Sequence, residues 1–256
     1  MPEILSIASQ KGGVGKTTAS VHIAAGLALL KHKTLLIDLD PQRNATSIFS
    51  EYLEDDNFGI HSVFKDEVEL TNQNFLKTRY DLLKLLPSTM NLSEAIAITS
   101  RKKNSFFLLR DALDKYKNFF DYIIIDCPPN LSFLTLNAFV ASTGILIPIQ
   151  ASRFVIDGIL DLIKIQQSVI KRYNSKLMIL GALLNNYNAR TTISKAALPL
   201  IQQHIHVLKN RITHSIAIEE SHLMRQTLYE YNKRHKLATD YKKVVKEVIK
   251  LFANRE

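Results

Sequence analysis

Gln10-Lys11-Gly12-Gly13-Val14-Gly15-Lys16-Thr17-Thr18 is the stretch on which the fold turns. Three of the chain's eight glycines, Gly12, Gly13 and Gly15, fall within four residues. Glycine lets a backbone fold tightly and aim several N–H groups at one anion. The apolar run Ile4–Ser9 before it reads as a strand. Thr18–Lys31 after it reads as a helix, with Val21, Ala24, Ala25, Ala28 and Leu29 on one face. Strand, glycine loop and helix in that order form a phosphate cradle, because the helix adds its positive N-terminal end. Gly12, Gly13, Val14, Gly15, Lys16, Thr17 and Thr18 are therefore expected to bind ATP. Lys16 reaches the β- and γ-phosphates, and the Thr17 hydroxyl ligates magnesium.

Outward from the loop, short apolar runs alternate with helical patterns. Strands are expected at Thr34–Asp38, Leu82–Leu86, Tyr122–Asp126, Ile145–Ile149 and Leu177–Leu184. Helices are expected over Arg101–Tyr116 and Asp240–Phe252; the second has Tyr241, Val244, Val245, Val248, Ile249 and Phe252 on one face. Such alternation predicts an α/β fold, a mostly parallel sheet flanked by helices on both faces. No repeat or Pro/Gly-rich linker divides the chain, so one domain over residues 1–256 is expected.

Composition narrows the class. Apolar residues make up 46% of the 256 and charged residues 22%, as in soluble globular proteins. No apolar run reaches the roughly 18 residues that span a bilayer, and Met1–Leu5 lacks a basic leader, so a cytoplasmic location is expected. A single cysteine, Cys127, excludes an internal disulfide and a cysteine-only metal site; it reads as a packed small residue. The net charge is +9, and it is uneven. Residues 1–160 carry 16 Lys/Arg against 17 Asp/Glu, whereas residues 161–256 carry 17 against 7. A basic last third suits a polyanion.

Two further segments carry acids where strands end. Asp38-Leu39-Asp40-Pro41-Gln42 follows the second strand, at the strand end where open α/β sheets bind ligands. Tyr122-Ile123-Ile124-Ile125-Asp126 is an apolar strand closed by a carboxylate, suited to holding a magnesium shell through water.

The phosphate loop departs from the common G-x-x-x-x-G-K-[ST] pattern, with Gln10 in place of its first glycine and a second lysine, Lys11, before Gly12. This K-G-G-x-G-K-T-T arrangement resembles the deviant Walker A loop of the ParA/MinD ATPases. Asp40-Pro41-Gln42-Arg43-Asn44-Ala45-Thr46, Asp126-Cys127-Pro128-Pro129 and Leu134-Thr135-Leu136-Asn137-Ala138 are similar to ParA/Soj segments. The likeness extends over nearly the whole chain. It implies a slow ATPase with ATP and Mg2+ as cofactors, in which Lys11, Lys16 and Asp40 are catalytic. Lys11 acts across a homodimer interface and Asp40 orients the attacking water. Thr17, Asp40 and Asp126 serve the metal, and Asn185 hydrogen-bonds adenine. The family commonly has Gly where Arg43 stands, and Thr213-His214-Ser215 replaces its second adenine segment.

The resemblance also implies a nucleoid-associated partition ATPase whose ATP-bound dimer coats DNA without sequence preference. Release follows hydrolysis stimulated by a ParB-like centromere-binding partner. Arg190 matches a DNA-contacting arginine of the family. Lys209 and Arg211 are candidates by charge, as is Lys233-Arg234-His235-Lys236. A second family arginine aligns with Ala217 and is absent. The alternatives are a MinD-like membrane-associated ATPase, a ParA-like ATPase that positions a protein cargo, and a small-molecule amidoligase. The C-terminal helix reads as core-packing, so no membrane partner is expected.

Overall fold

The computed structural model describes residues 1–50, 59–65, 70–152 and 155–254. Seven strands form one sheet: β1 (Glu3–Ile7), β2 (Thr34–Asp38), β3 (Leu76–Lys77), β4 (Leu83–Leu86), β5 (Tyr122–Asp126), β6 (Gly144–Ile149) and β7 (Met178–Leu184). Their spatial order is β3-β4-β2-β5-β1-β6-β7. All pairings are parallel except β3 against β4. The short β3 was not foreseen, because two residues carry no periodicity.

Every residue of β2, β5 and β6 is buried. Helices cover both faces, so these strands are apolar without alternation. The period of two appears instead in which face each residue joins. Ile123 and Ile125 pack with Leu109, Phe139, Ile159 and Ile201 on one side. Tyr122 and Ile124 pack with Ile23, Leu27, Tyr241 and Val245 on the other.

Helix boundaries differ from expectation for backbone reasons. The phosphate helix is Lys16–Leu29, ended by Lys31 at φ 72°. The expected helix over Arg101–Tyr116 is shorter. Asn104 at φ 63° interrupts the chain, and Ser105–Phe107 is a 3-10 turn leading into the α-helix Leu108–Asp114. Left-handed backbone cannot continue a right-handed helix, and asparagine tolerates it better than most residues.

The last helix, Lys236–Ala253, buries Tyr241, Val244, Val245, Val248 and Phe252 against the phosphate helix and the sheet. Its apolar face is thus committed to the core, and no helix among the described residues is long and apolar enough to cross a membrane. Gly26 allows the close approach. A Cβ there would stand 2.6 Å from Val245 Cγ2 and 2.9 Å from the Tyr229 hydroxyl.

His22 makes a second tie between the same elements. Its Nδ1 lies 2.7 Å from the Thr18 carbonyl, and its Nε2 accepts from the Leu228 N–H at 2.9 Å. The ring stacks on Tyr241 at 4.5 Å. Nδ1 therefore carries the proton, and burial holds the imidazole neutral by pushing its pKa down to about 3.

Two outcomes follow from this packing. Gly26→Ala should destabilise the protein by about 1–3 kcal/mol in urea unfolding, because the crowding outweighs alanine's better helix propensity. His22 binds a proton only in the unfolded chain between about pH 6.5 and 3, so its contribution weakens as pH falls through that window. Relative to His22→Gln, the wild-type advantage should be constant above about pH 6.5 and shrink below it, by at most about 1.4 kcal/mol per pH unit.

Candidate nucleotide site

Strands β2, β5 and β1 end together at one edge of the sheet. Asp38 pairs in register with Asp126, and Asp126 with Ile7, from which the chain enters the glycine loop. Gly13 and Gly15 adopt φ 73° and 87°, and a Cβ at Gly15 would lie 2.7 Å from Asn185 Nδ2. Glycine is thus required at position 15 twice over, by backbone and by space. Two side chains brace the loop. Gln150 Nε2 donates to the Gly13 carbonyl at 2.9 Å, and Asn185 Nδ2 to the Val14 carbonyl at 2.8 Å. Gly15 caps the phosphate helix without a side-chain cap, and no acid occupies the first turn. The free N–H groups at that end are an anion site.

Lys16 is buried, with Nζ 3.3 Å from the Lys11 carbonyl. Burial lowers its pKa, while Asp126 and Asp40 pull it back up. Asp126 is fully buried; its Oδ1 accepts from Ser20 Oγ at 2.7 Å, and its Oδ2 has no partner among the described residues. Burial, then the charge of Asp38, pushes its pKa up to about 8. Asp38 is raised to about 6, first by burial, although Thr46 N–H and Oγ each donate to it at 2.8 Å and Asp40 N–H at 3.1 Å.

This arrangement fits a divalent cation. Asp126 Oδ2 is a sealed carboxylate oxygen with an open lone pair, beside the Thr17 hydroxyl and the anion-binding helix end. No cluster of three or more His, Cys, Asp or Glu among the described residues could cage a metal alone. Such a cation therefore shares phosphate, hydroxyl and water ligands, as magnesium does.

Asp40 is buried in a tight turn, its Oδ1 accepting from the Gln42 N–H at 2.9 Å and its carbonyl from the Arg43 N–H at 2.9 Å. Arg43 stands at φ 60°, the left-handed conformation that glycine adopts without strain. The glycine that the family resemblance implies at this position would adopt it without strain.

Beyond the helix start lies a cavity of about 170 Å³, bordered by Thr18, Asn185, His214, Ser215, Glu219 and His222. Asn185 is buried; its Nδ2 is committed to Val14, and its Oδ1 is sealed without a partner. The amide thus keeps an unpaired acceptor, which suits an amino group such as that of adenine. His214 and Ser215, which stand where the family's second adenine segment falls, border this cavity.

Lys11 is exposed at the rim, and no hydrogen bond or ion pair engages its Nζ among the described residues. Cys127 is buried, and burial first, then Asp126, pushes its thiol pKa far up, so it is an inert packed residue. The basic candidates lie apart from the phosphate site. Arg190 is exposed in a turn whose Asn188 side chain accepts its N–H at 3.0 Å. The neighbouring Tyr187 N–H donates to the Ile212 carbonyl at 2.9 Å, which brings the loop of Lys209 and Arg211 alongside. Lys209 is exposed. Arg211 is half-buried, its guanidinium 4.5 Å from the Tyr187 ring centre and its Nε sealed without a partner. In the other cluster, Lys236 is paired with Asp240 at 2.8 Å.

Several site residues escaped the sequence reading. Ser20 lies one turn beyond Lys16 and belongs to no local motif, and Gln150, in the family-like segment Ile147-Pro148-Ile149-Gln150, was given no role by the sequence. Asp38 was visible beside Asp40, but its pairing with Asp126 needs the sheet. His222 has no motif at all.

Fold and site together define a nucleotide-binding ATPase of the phosphate-loop class, built for ATP and Mg2+. The family model described as "AAA domain" matches residues 2–179. The sporulation initiation inhibitor protein Soj of Bacillus subtilis is 34% identical over 255 residues, covering 97% of this chain and 98% of its own. The chromosome-partitioning ATPase Soj of Thermus thermophilus is 31% identical over 247 residues, covering 96% and 94%. The chain belongs to the ParA/Soj family of partitioning ATPases.

Among solved structures, cobyrinic acid a,c-diamide synthase of Mycobacterium smegmatis with a bound ATP analogue and magnesium shares the fold at TM-score 0.86 and 28% identity, covering 100% of this chain and 98% of its own. MinD of Pyrococcus horikoshii with Mg-ADP does so at 0.79 and 26%, covering 98% of both chains.

Asp126→Asn separates the electrostatic cost of the site from its use. Without magnesium the variant should melt above wild type at pH 7–8, because a buried amide needs neither the proton uptake nor the buried charge that folding imposes on Asp126. With Mg-ATP the order should reverse, the wild type alone gaining stability from bound ligand.

Proposed function

We propose that this protein is a DNA-partitioning ATPase whose ATP-bound form is a sandwich dimer that coats DNA and is released by partner-stimulated hydrolysis. The observation that carries this reading is the contrast between the two loop lysines. Lys16 is buried against its own loop, whereas Lys11 is exposed at the rim with its ammonium unengaged among the described residues. A cation left outside its own phosphate cradle suits the nucleotide of a second subunit.

In this reading Lys16 neutralises charge on the β- and γ-phosphates, and the loop and helix N–H groups hold the phosphate oxygens. Thr17 ligates magnesium and Asp126 Oδ2 holds a water of its shell. The metal, when bound, neutralises charge developing on the transferred phosphoryl group. Asp40 orients the attacking water, and its turn, held by Gln42 and Arg43, keeps the carboxylate in place. Hydrolysis in the isolated subunit is slow, because Lys11 of the other copy is missing from the site. A ParB-like partner completes the active arrangement.

DNA binding is assigned to the C-terminal third. The Arg190 turn and the Lys209–Arg211 loop lie side by side and suit a phosphate backbone read without base contacts. Arg190 and Lys209 carry most of this role, since Arg211 is partly occupied by Tyr187. A MinD-like membrane role is disfavoured by the buried apolar face of the last helix. A protein cargo remains the second reading, because only the partner distinguishes it from DNA. ATP turnover that depends on a small-molecule acceptor would instead favour an amidoligase.

Three variants test the mechanism. ATP, and not ADP, should yield a dimer that co-sediments with DNA of any sequence. Lys16→Ala should abolish ATP binding, whereas Lys11→Ala should retain it and lose dimerisation and hydrolysis; equal loss of ATP affinity in both sinks the role in trans. Arg190→Ala should weaken binding to all DNA sequences alike and flatten the log–log salt slope by about one.

A further inference from the structure

We propose that His222 is a base-recognition residue of the nucleotide site, donating from Nε2 to a ring nitrogen of adenine while Asn185 accepts from the amino group. This rests on the ATP-binding reading above and adds a specificity residue to it.

His222 lies on the helix Ile216–Leu223, which borders the cavity with Asn185 and Thr18. The start of that helix is anchored by the Ser215 side chain, which accepts from the Ala217 N–H at 3.2 Å. His222 Nε2 is sealed from solvent and has no hydrogen-bond partner among the described residues. A sealed polar nitrogen is costly, and native proteins almost always pair it. The nearest ring cannot do so. His22 lies 6.1 Å away in a stacked arrangement, and both its nitrogens are committed, to Thr18 and to Leu228.

A second sealed and unpaired atom, Asn185 Oδ1, belongs to another residue that lines the same cavity. The two orphans differ in kind. Asn185 keeps an unpaired acceptor in Oδ1, while one N–H of its amide nitrogen is given to Val14. His222 is held neutral, its pKa lowered by burial more than Glu219 raises it, so its imidazole keeps one N–H donor. Adenine presents a donor amino group and acceptor ring nitrogens on one small planar frame. Its amino group and a ring nitrogen can answer both atoms at once.

The test compares a ligand that carries the base with one that lacks it, using the full chain. Mg-ATP and Mg-tripolyphosphate affinities are measured by calorimetry for wild type, His222→Ala and His222→Gln. His222→Ala should bind Mg-ATP about tenfold more weakly and tripolyphosphate within about twofold of wild type. His222→Gln, which restores a neutral donor, should recover most of the loss. Equal weakening towards both ligands would show a merely structural role, and unchanged ATP affinity would remove any role. Should His222→Ala fail to fold, wild type is titrated with 1-, 3- and 7-deaza-ATP. One of the three should bind about tenfold more weakly than ATP, and the assignment fails if none does. Wild type that binds tripolyphosphate but gains nothing from the adenosine of ATP would overturn the nucleotide reading itself, a result distinct from failure of His222 alone.

Discussion

Two carboxylates, Asp38 and Asp126, are buried side by side at the ends of β2 and β5, and the rest of the site is arranged around that placement. Like charges in a dry environment repel strongly, and burial alone disfavours both. The protein offsets part of the cost with hydrogen bonds from Thr46, the Asp40 N–H and Ser20, and with the nearby ammonium of Lys16. One oxygen of Asp126 is left over. That remainder would suit a hydrated cation.

The same economy governs the loop. Its backbone N–H groups can face an anion only if something else engages its carbonyls, and Gln150 and Asn185 do so from β6 and from the end of β7. These bonds tie the phosphate cradle to the part of the sheet that leads into the basic third of the chain. His22 extends the connection in the other direction. It joins the first turn of the phosphate helix to the segment before the last helix through two hydrogen bonds and a ring stack. Nucleotide site, core and basic surface are therefore linked by short polar contacts across tightly packed elements, and Gly26 sets how closely they approach.

Much of this was legible in the chain. The strands Thr34–Asp38 and Tyr122–Asp126 have their expected bounds, because a short apolar run ended by an acid stands out from its polar flanks. The last helix buries the face its periodicity marks. The helix expected from Arg101 was overdrawn, since a left-handed asparagine leaves no trace in hydrophobic periodicity. Arg43 shows the converse. Its departure from a common glycine was visible as an oddity, and its meaning became clear only with its φ of 60°.

By itself, then, the sequence determined the phosphate loop, the alternation of strands and helices, the acids at strand ends and the basic last third. Each of these is written in consecutive residues, where local spacing and backbone chemistry decide the outcome. Only the tertiary structure decided which distant groups share the site: Ser20 with Asp126, Asn185 and Gln150 with the loop, His222 with the cavity, and Arg190 with Lys209 and Arg211. Those pairings depend on strand order and on the burial of particular atoms. An unpaired oxygen or nitrogen becomes informative only once the surrounding packing has shut water out.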